Sequence, residues 1–105
     1  MRGDIHRLKA AKGAKGHEQP DARYAVVLQP DYLPLSTIIV APTSTKSVPT
    51  SFRPVIDISG TKTQVMIEQA SAVDTETRLG QMVGRLSLAE MQAVNAAIFE
   101  VFGLI

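Results

Sequence analysis

The sequence predicts a mainly β domain: a small twisted barrel capped by one C-terminal helix. Three observations carry this prediction. Short, β-branched apolar runs recur between proline- and glycine-bearing breaks, roughly five or six of them come before Ser87, and only the stretch after Ser87 has helical spacing. A chain of 105 residues and 11.3 kDa suits one domain, residues 1–105, with a modest core.

Gly3 to Leu8 alternates weakly and is expected to be the first strand, with Ile5 and Leu8 partly inward. Lys9 to Ala22 has glycines, lysines and a proline but no period, which reads as a long loop of the kind that is usually functional or disordered. Tyr24 to Gln29 is the second strand, stopped by Pro30-Asp31, and Pro30 to Leu35 is a connection. Thr37 to Ala41 is a buried strand expected to end at Pro42, with the polar run Thr43-Ser44-Thr45-Lys46-Ser47 beyond it. Phe52 to Ile58 follows with Ile56 and Ile58 on one face, and Pro54 places it at an edge or bulge. After the turn Ser59–Lys62, Gln64 to Gln69 reads as a strand with Val65 and Ile67 opposite Met66 and Glu68. Asp74 should cap a short helical turn to Arg78, and Leu79 to Leu86 returns to strand.

The last element has the strongest local signals. Ser87-Leu88-Ala89-Glu90 fits a capping box, in which the serine hydroxyl accepts from the third helical amide and the glutamate reaches back. Leu88, Met91, Val94, Ile98, Val101 and Phe102 are expected on one face, and Gly103 supplies a left-handed stop. Phe99 and Leu104-Ile105 are apolar surplus off that face, which suggests an interface.

Charge is unevenly placed. Residues 1–15 carry Arg2, Arg7, Lys9, Lys12 and Lys15 against Asp4 alone, so residues 16–105 sum to −3 within an overall +1. A basic flap with Gly13 and Gly16 suits contact with a polyanion. The absence of cysteine excludes a disulfide framework and a thiolate metal site and fits a reducing cytosol. Two histidines make no metal cluster, so no cofactor is expected. No apolar run reaches the ~18 residues of a membrane span, and no signal-peptide core stands at the N-terminus; a cytoplasmic protein without a membrane partner is expected.

The chemistry-bearing residues gather ahead of the second strand. His17, Glu18 and Arg23 place a proton-transfer group, a carboxylate and a fixed cation at the mouth of the run Ala25-Val26-Val27-Leu28. Hydroxyls at Thr43, Ser44 and Thr45 follow another strand, and Glu68 stands on a third. These residues define a polar site on a small β domain without specifying a reaction.

The ordered series Arg2-Gly3-Asp4-Ile5, Gly16-His17-Glu18-Gln19, Arg23 before Ala25–Gln29, Ile38 to Ser44, Glu68-Gln69 with Val73-Asp74, Arg78-Leu79-Gly80 and the closing helix resembles the MazF/PemK/Kid toxins of bacterial toxin–antitoxin pairs. The resemblance implies an SH3-like β-barrel of the CcdB/Kid/MazF type with a C-terminal amphipathic helix. It also implies a homodimer, a cognate antitoxin, and sequence-specific, metal-independent cleavage of single-stranded RNA by 2′-hydroxyl attack, leaving a 2′,3′-cyclic phosphate. By the same resemblance Arg23 stabilises the phosphorane and Glu18 is the general base, while His17 or a hydroxyl of Thr43 or Ser44 assists the leaving group. Lys12, Lys15, Gln19, Thr45, Glu68 and Gln69 are the expected RNA contacts.

Three departures from the family pattern stand out. Met66 occupies the position where Kid-type members carry an arginine two residues before the acid, so Glu68 is expected to lack that neighbour. Tyr24 follows Arg23 where many members have proline, and His6 replaces an aromatic in the first strand. Two alternatives follow: an inactive barrel kept for RNA or partner binding, and a gyrase poison of the CcdB type.

Overall fold

The computed structural model describes residues 1–10 and 23–104. Seven strands, β1 (Asp4–Leu8), β2 (Arg23–Val27), β3 (Thr37–Ser44), β4 (Val55–Ile58), β5 (Thr61–Val65), β6 (Ser71–Asp74) and β7 (Leu79–Arg85), form one antiparallel sheet curled into a half-barrel. Its order is β4-β5-β3-β2-β1-β7, with β6 also paired to β3. A one-turn helix α1 (Thr75–Arg78) joins β6 to β7, and helix α2 (Leu88–Val101) closes the chain. The mainly β fold with one substantial C-terminal helix is the expected one.

Strand β3 organises the sheet. On one edge it pairs with β2, Ala25 opposite Pro42 and Val27 opposite Val40. On the other edge it changes partner, taking β6 along Thr37–Val40 and β5 at Thr43 and Ser44. Pro42 therefore does not end the strand, contrary to the sequence expectation. Its carbonyl receives the Met66 amide at 2.8 Å, so its nitrogen faces the same edge, at the gap between the two partners. No ladder donor is needed at that point, and a proline fits there.

The run Gln64–Gln69 is also not one strand. β5 stops at Val65, and Ile67–Gln69 form a 3₁₀ turn that carries the chain out of the ladder before β6 rejoins β3. Ile67 still reaches the core, but Glu68 stands on this turn and not on a strand face. β4 and β5 form a hairpin around Ser59 (φ 51°) and Gly60 (φ 86°), the two positive angles that a tight two-residue turn between right-twisted strands requires. Asp74 caps α1 as expected, its carboxylate accepting from the Glu76 and Thr77 amides at 3.0 Å.

The main core lies between the sheet and α2 and contains Ile5, Val26, Ala41, Ile56, Ile58, Val65, Ile67, Val94 and Ala97. A second cluster, Ala25, Val27, Val40 and Val73, packs on the opposite sheet face by the alternation of strand side chains. The Ser87–Glu90 capping box is formed in both directions, at 3.1 and 2.8 Å. The buried stripe of α2 is narrower than expected. It centres on Val94 and Ala97 with Met91, Ile98 and Val101 alongside, while Leu88 (76% exposed) and Phe102 (61%) stand outside it. Helical geometry gives the reason: Leu88 lies roughly 120°, and Phe102 roughly 80°, around the axis from Val94.

Candidate functional site

Arg23 opens β2 and is exposed, opposite Leu8 of β1. The next residue, Tyr24, packs its ring against the main core, and the Arg7 guanidinium lies 5.5 Å from the ring centroid. Its carbonyl accepts the Thr43 hydroxyl at 2.9 Å. The sequence-predicted hydroxyls are thus on β3 itself and not past its end. Thr43 is tied to the neighbouring strand, whereas the Ser44 oxygen accepts the amides of Lys46 and Ser47 at 3.0 and 3.2 Å, closing a tight turn. That leaves the Ser44 hydroxyl proton free to donate.

Gln64 supports this turn. It pairs with Ser44 across the ladder, and with its amide nitrogen facing the turn it donates to the carbonyls of Ser44 and Ser47 at 2.8 and 3.0 Å. Thr45 is exposed on the turn, and Glu68 and Gln69 are exposed on the 3₁₀ turn. His17, Glu18, Gln19, Lys12 and Lys15 lie outside the described residues, as does most of the loop expected over Lys9–Ala22.

The pairing register sorts these side chains by face. Residues directly opposite one another in antiparallel strands share a face, which joins Ser44, Gln64 and Val55, and by continuation Arg23 beyond Ala25. His6, opposite Ala25, is on that same face, its Nδ1–H donating to the Gly80 carbonyl at 2.9 Å. Thr43 points to the other face with Tyr24. The structure therefore brings Arg23 and Ser44 together and sets Thr43 apart from them.

One residue escaped the sequence reading. Arg53, in the connection before β4, donates through Nε and Nη2 to Glu68 Oε2 at 3.0 and 2.8 Å. Glu68 lacks the arginine neighbour on its own segment, as expected, but gains one from a different segment. Met66, where the family pattern would put that arginine, is buried. Burial alone would push the Glu68 carboxyl up. Hydrogen bonds from Arg53 and from the glutamate's own backbone amide, together with the guanidinium charge, outweigh it and hold the group below the usual carboxylate range. The only local hint in the sequence is Phe52-Arg53, with the guanidinium 5.4 Å from the Phe52 ring centroid.

Residues 1–102 match the family described as PemK-like, MazF-like toxin of type II toxin–antitoxin system. The chain belongs to this family. A protein of Mycobacterium tuberculosis (strain ATCC 25618 / H37Rv) named "Putative toxin Rv3098A/RVBD_3098A" is 36% identical over 104 residues, spanning 99% of this chain and 98% of its own. Among solved structures, an endoribonuclease in complex with its cognate antitoxin from a mycobacterial species superposes with TM-score 0.80 at 16% identity, over 100% of this chain and 96% of that one. The Mycobacterium tuberculosis toxin MazF-mt6 gives 0.76 at 19% identity, over 95% and 96%. MazF from Deinococcus radiodurans gives 0.77 at 19%, over 97% and 94%. At these identities the structures share the fold, and that fold is the MazF one. Among the described residues of this MazF-like toxin, no helix is long and apolar enough to cross a membrane.

Proposed function

We propose that this MazF-like toxin is an endoribonuclease that cuts single-stranded RNA at particular sequences. The observation that carries the reading is the exposed Arg23 at the mouth of β2, on one face with Ser44, in a member of this toxin family. One solved structure of the same fold is named as an endoribonuclease bound to its cognate antitoxin, which supports the same activity here.

In this reading the 2′-hydroxyl attacks the adjacent phosphorus, the bond to the 5′-oxygen breaks, and a 2′,3′-cyclic phosphate and a 5′-hydroxyl result. Arg23 stabilises the phosphorane, its planar fork matching two phosphate oxygens. Glu18 takes the 2′-hydroxyl proton and His17 assists the leaving oxygen. Of the two β3 hydroxyls, Ser44 is better suited to donate to phosphate, because Thr43 already donates to Tyr24. Lys12, Lys15, Gln19, Thr45 and Gln69 contact the RNA. In this reading the RNA's own 2′-hydroxyl is the nucleophile and the reaction proceeds without a metal.

The protein acts in the cytoplasm as a homodimer, with two Arg23 sites opening on a shared groove, and a flexible acidic segment of an antitoxin silences it. Purified protein incubated with a long RNA in EDTA tests the activity. Discrete fragments ending in cyclic phosphate are expected. Intact RNA favours the inactive binding module, and cleavage that returns only with added magnesium overturns the 2′-hydroxyl route. DNA breaks trapped on gyrase would instead favour the CcdB-type poison.

A further inference from the structure

We propose that Arg53 is a phosphate contact for the RNA strand and that Glu68 is its positioning residue. The inference rests on the RNA reading above and extends the site by one anion-binding position.

The backbone puts Arg53 where an RNA crossing the Arg23–Ser44 face would pass. Val65 donates its amide to Pro54 and Met66 donates to Pro42, at 2.9 and 2.8 Å, so the residues preceding β4 continue the ladder level with the C-terminal part of β3, near Pro42 and Thr43. Arg53 is two residues before Val55, which shares a face with Gln64 and Ser44. Three strand spacings and a two-residue offset along the strand separate Arg23 from this position, roughly 16 Å. Two cations at that separation, with Ser44 between them, suit a strand laid across the sheet.

The side chain is held rather than loose. Its backbone amide donates to Thr50 at 3.0 Å, and the Phe52 ring lies beside the guanidinium. Nε and Nη2 both meet one Glu68 oxygen, which fixes the plane of the fork. Nη1 meets no hydrogen-bond acceptor among the described residues, and the side chain keeps 27% exposure. A carboxylate that orients an arginine in this way lowers the entropy lost when the free edge of the fork meets a phosphate. Glu68, held ionised by its partner, is a weak proton acceptor near neutrality, and that suits it to positioning rather than to proton transfer.

Two roles compete for the pair: a phosphate contact, and a strut between the loop before β4 and the 3₁₀ turn. A fluorescein-labelled, random-sequence 2′-O-methyl RNA separates them, because it lacks the attacking hydroxyl and reports binding alone. Binding is read by anisotropy over a salt series, beside thermal melts and cleavage of a long RNA. Arg53→Gln is expected to weaken binding about tenfold and to lower the slope of log K against log salt by about 0.7, the share of one phosphate on a single strand. Arg53→Lys should restore the slope. Glu68→Gln should keep the slope and lose about threefold in affinity, with the loss in KM rather than kcat. The double variant Arg53→Gln/Glu68→Gln retains a hydrogen-bonded amide pair without the cation and guards against misfolding: the strut role predicts wild-type binding, and the phosphate role predicts the lowered slope. Unchanged affinity and slope in the folded glutamine variants overturn the proposal while wild-type cleavage keeps the RNA reading intact. A wild-type protein that neither binds nor cuts RNA removes both.

Discussion

Arg2 and Asn95, 93 positions apart in the chain, are joined by a 2.6 Å hydrogen bond from guanidinium Nη2 to amide Oδ1. Arg2 Nε also donates to the Leu28 carbonyl at 2.8 Å. Although counted among the cations of the basic N-terminal stretch, Arg2 braces the exit of β2 against α2. Gly3 beside it is fixed by the same packing. Its φ of 90° suits glycine, and an added Cβ would run into the Met91 methyl.

Arg2→Ala should therefore act on stability and not on RNA affinity. Losing partly buried, charge-assisted hydrogen bonds costs about 1–3 kcal/mol, a Tm drop of several degrees or more in a domain this small. Thermal melts together with the salt slope of RNA binding check it; a lowered slope at unchanged Tm would return Arg2 to the RNA surface.

Asp4 gives the fold an acid limit. Burial would raise its carboxyl, but hydrogen bonds from the Met1 ammonium and Arg85, with their charges, outweigh burial and hold it below its ordinary 3.8. The unfolded chain thus takes up this proton first on acidification. The stabilisation is complete above the unfolded value and drains away as pH falls through the folded one. The Tm gap between wild type and Asp4→Asn should be widest near neutrality and should narrow below about pH 4. A gap that stays constant from pH 7 to pH 3 would refute this.

Arg23→Ala should leave the melt near wild type, because the side chain is exposed, and should slow cleavage on the order of 10²–10³-fold. Cleavage kinetics and melts on one preparation decide it; near wild-type cutting removes Arg23 from the chemistry.

Helix α2 carries a second apolar stripe. Leu88, Phe99 (47% exposed) and Phe102 lie within roughly 60° of one another around the axis, away from the core. The proposed homodimer would cover it. Sedimentation at micromolar concentration should give about twice 11.3 kDa, and Phe99→Ser with Phe102→Ser should shift the protein toward monomer without loss of helix by circular dichroism. A wild-type monomer removes the interface.

What was legible in the sequence was local. The capping box at Ser87, the Asp74 cap and the turn after Ile58 each depend on residues within four positions of one another; the two caps formed as expected, and the turn expected over Ser59–Lys62 formed at Ser59-Gly60, with Thr61 and Lys62 already in β5. Strand β6 and the course of β3 through Pro42 depend on which distant strand lies alongside, and periodicity is silent on that. The alternation of Gln64–Gln69 puts Glu68 on a strand, yet the exchange of β5 for β6 beside β3 forces the chain outward there. The Arg53–Glu68 contact joins residues 15 apart through that same excursion, so no periodicity links the two. On α2 the apolar residues were visible, but only the packing showed that Leu88 and Phe102 belong to a different stripe.

The interior position of β1, one strand in from the β7 edge, bears on how the protein is made. β1 lies between β2 and β7, pairing His6 with Met82 and Asp4 with Arg85. β1 cannot satisfy both edges until β7, about 70 residues further along, has also been synthesised. At about 5–20 residues per second that is a wait of seconds, and sheet closure dominated by such distant pairings is itself slow. A nascent chain therefore has no completed sheet on which to present Arg23, and a truncation before β7 leaves β1 with a raw edge open to aggregation.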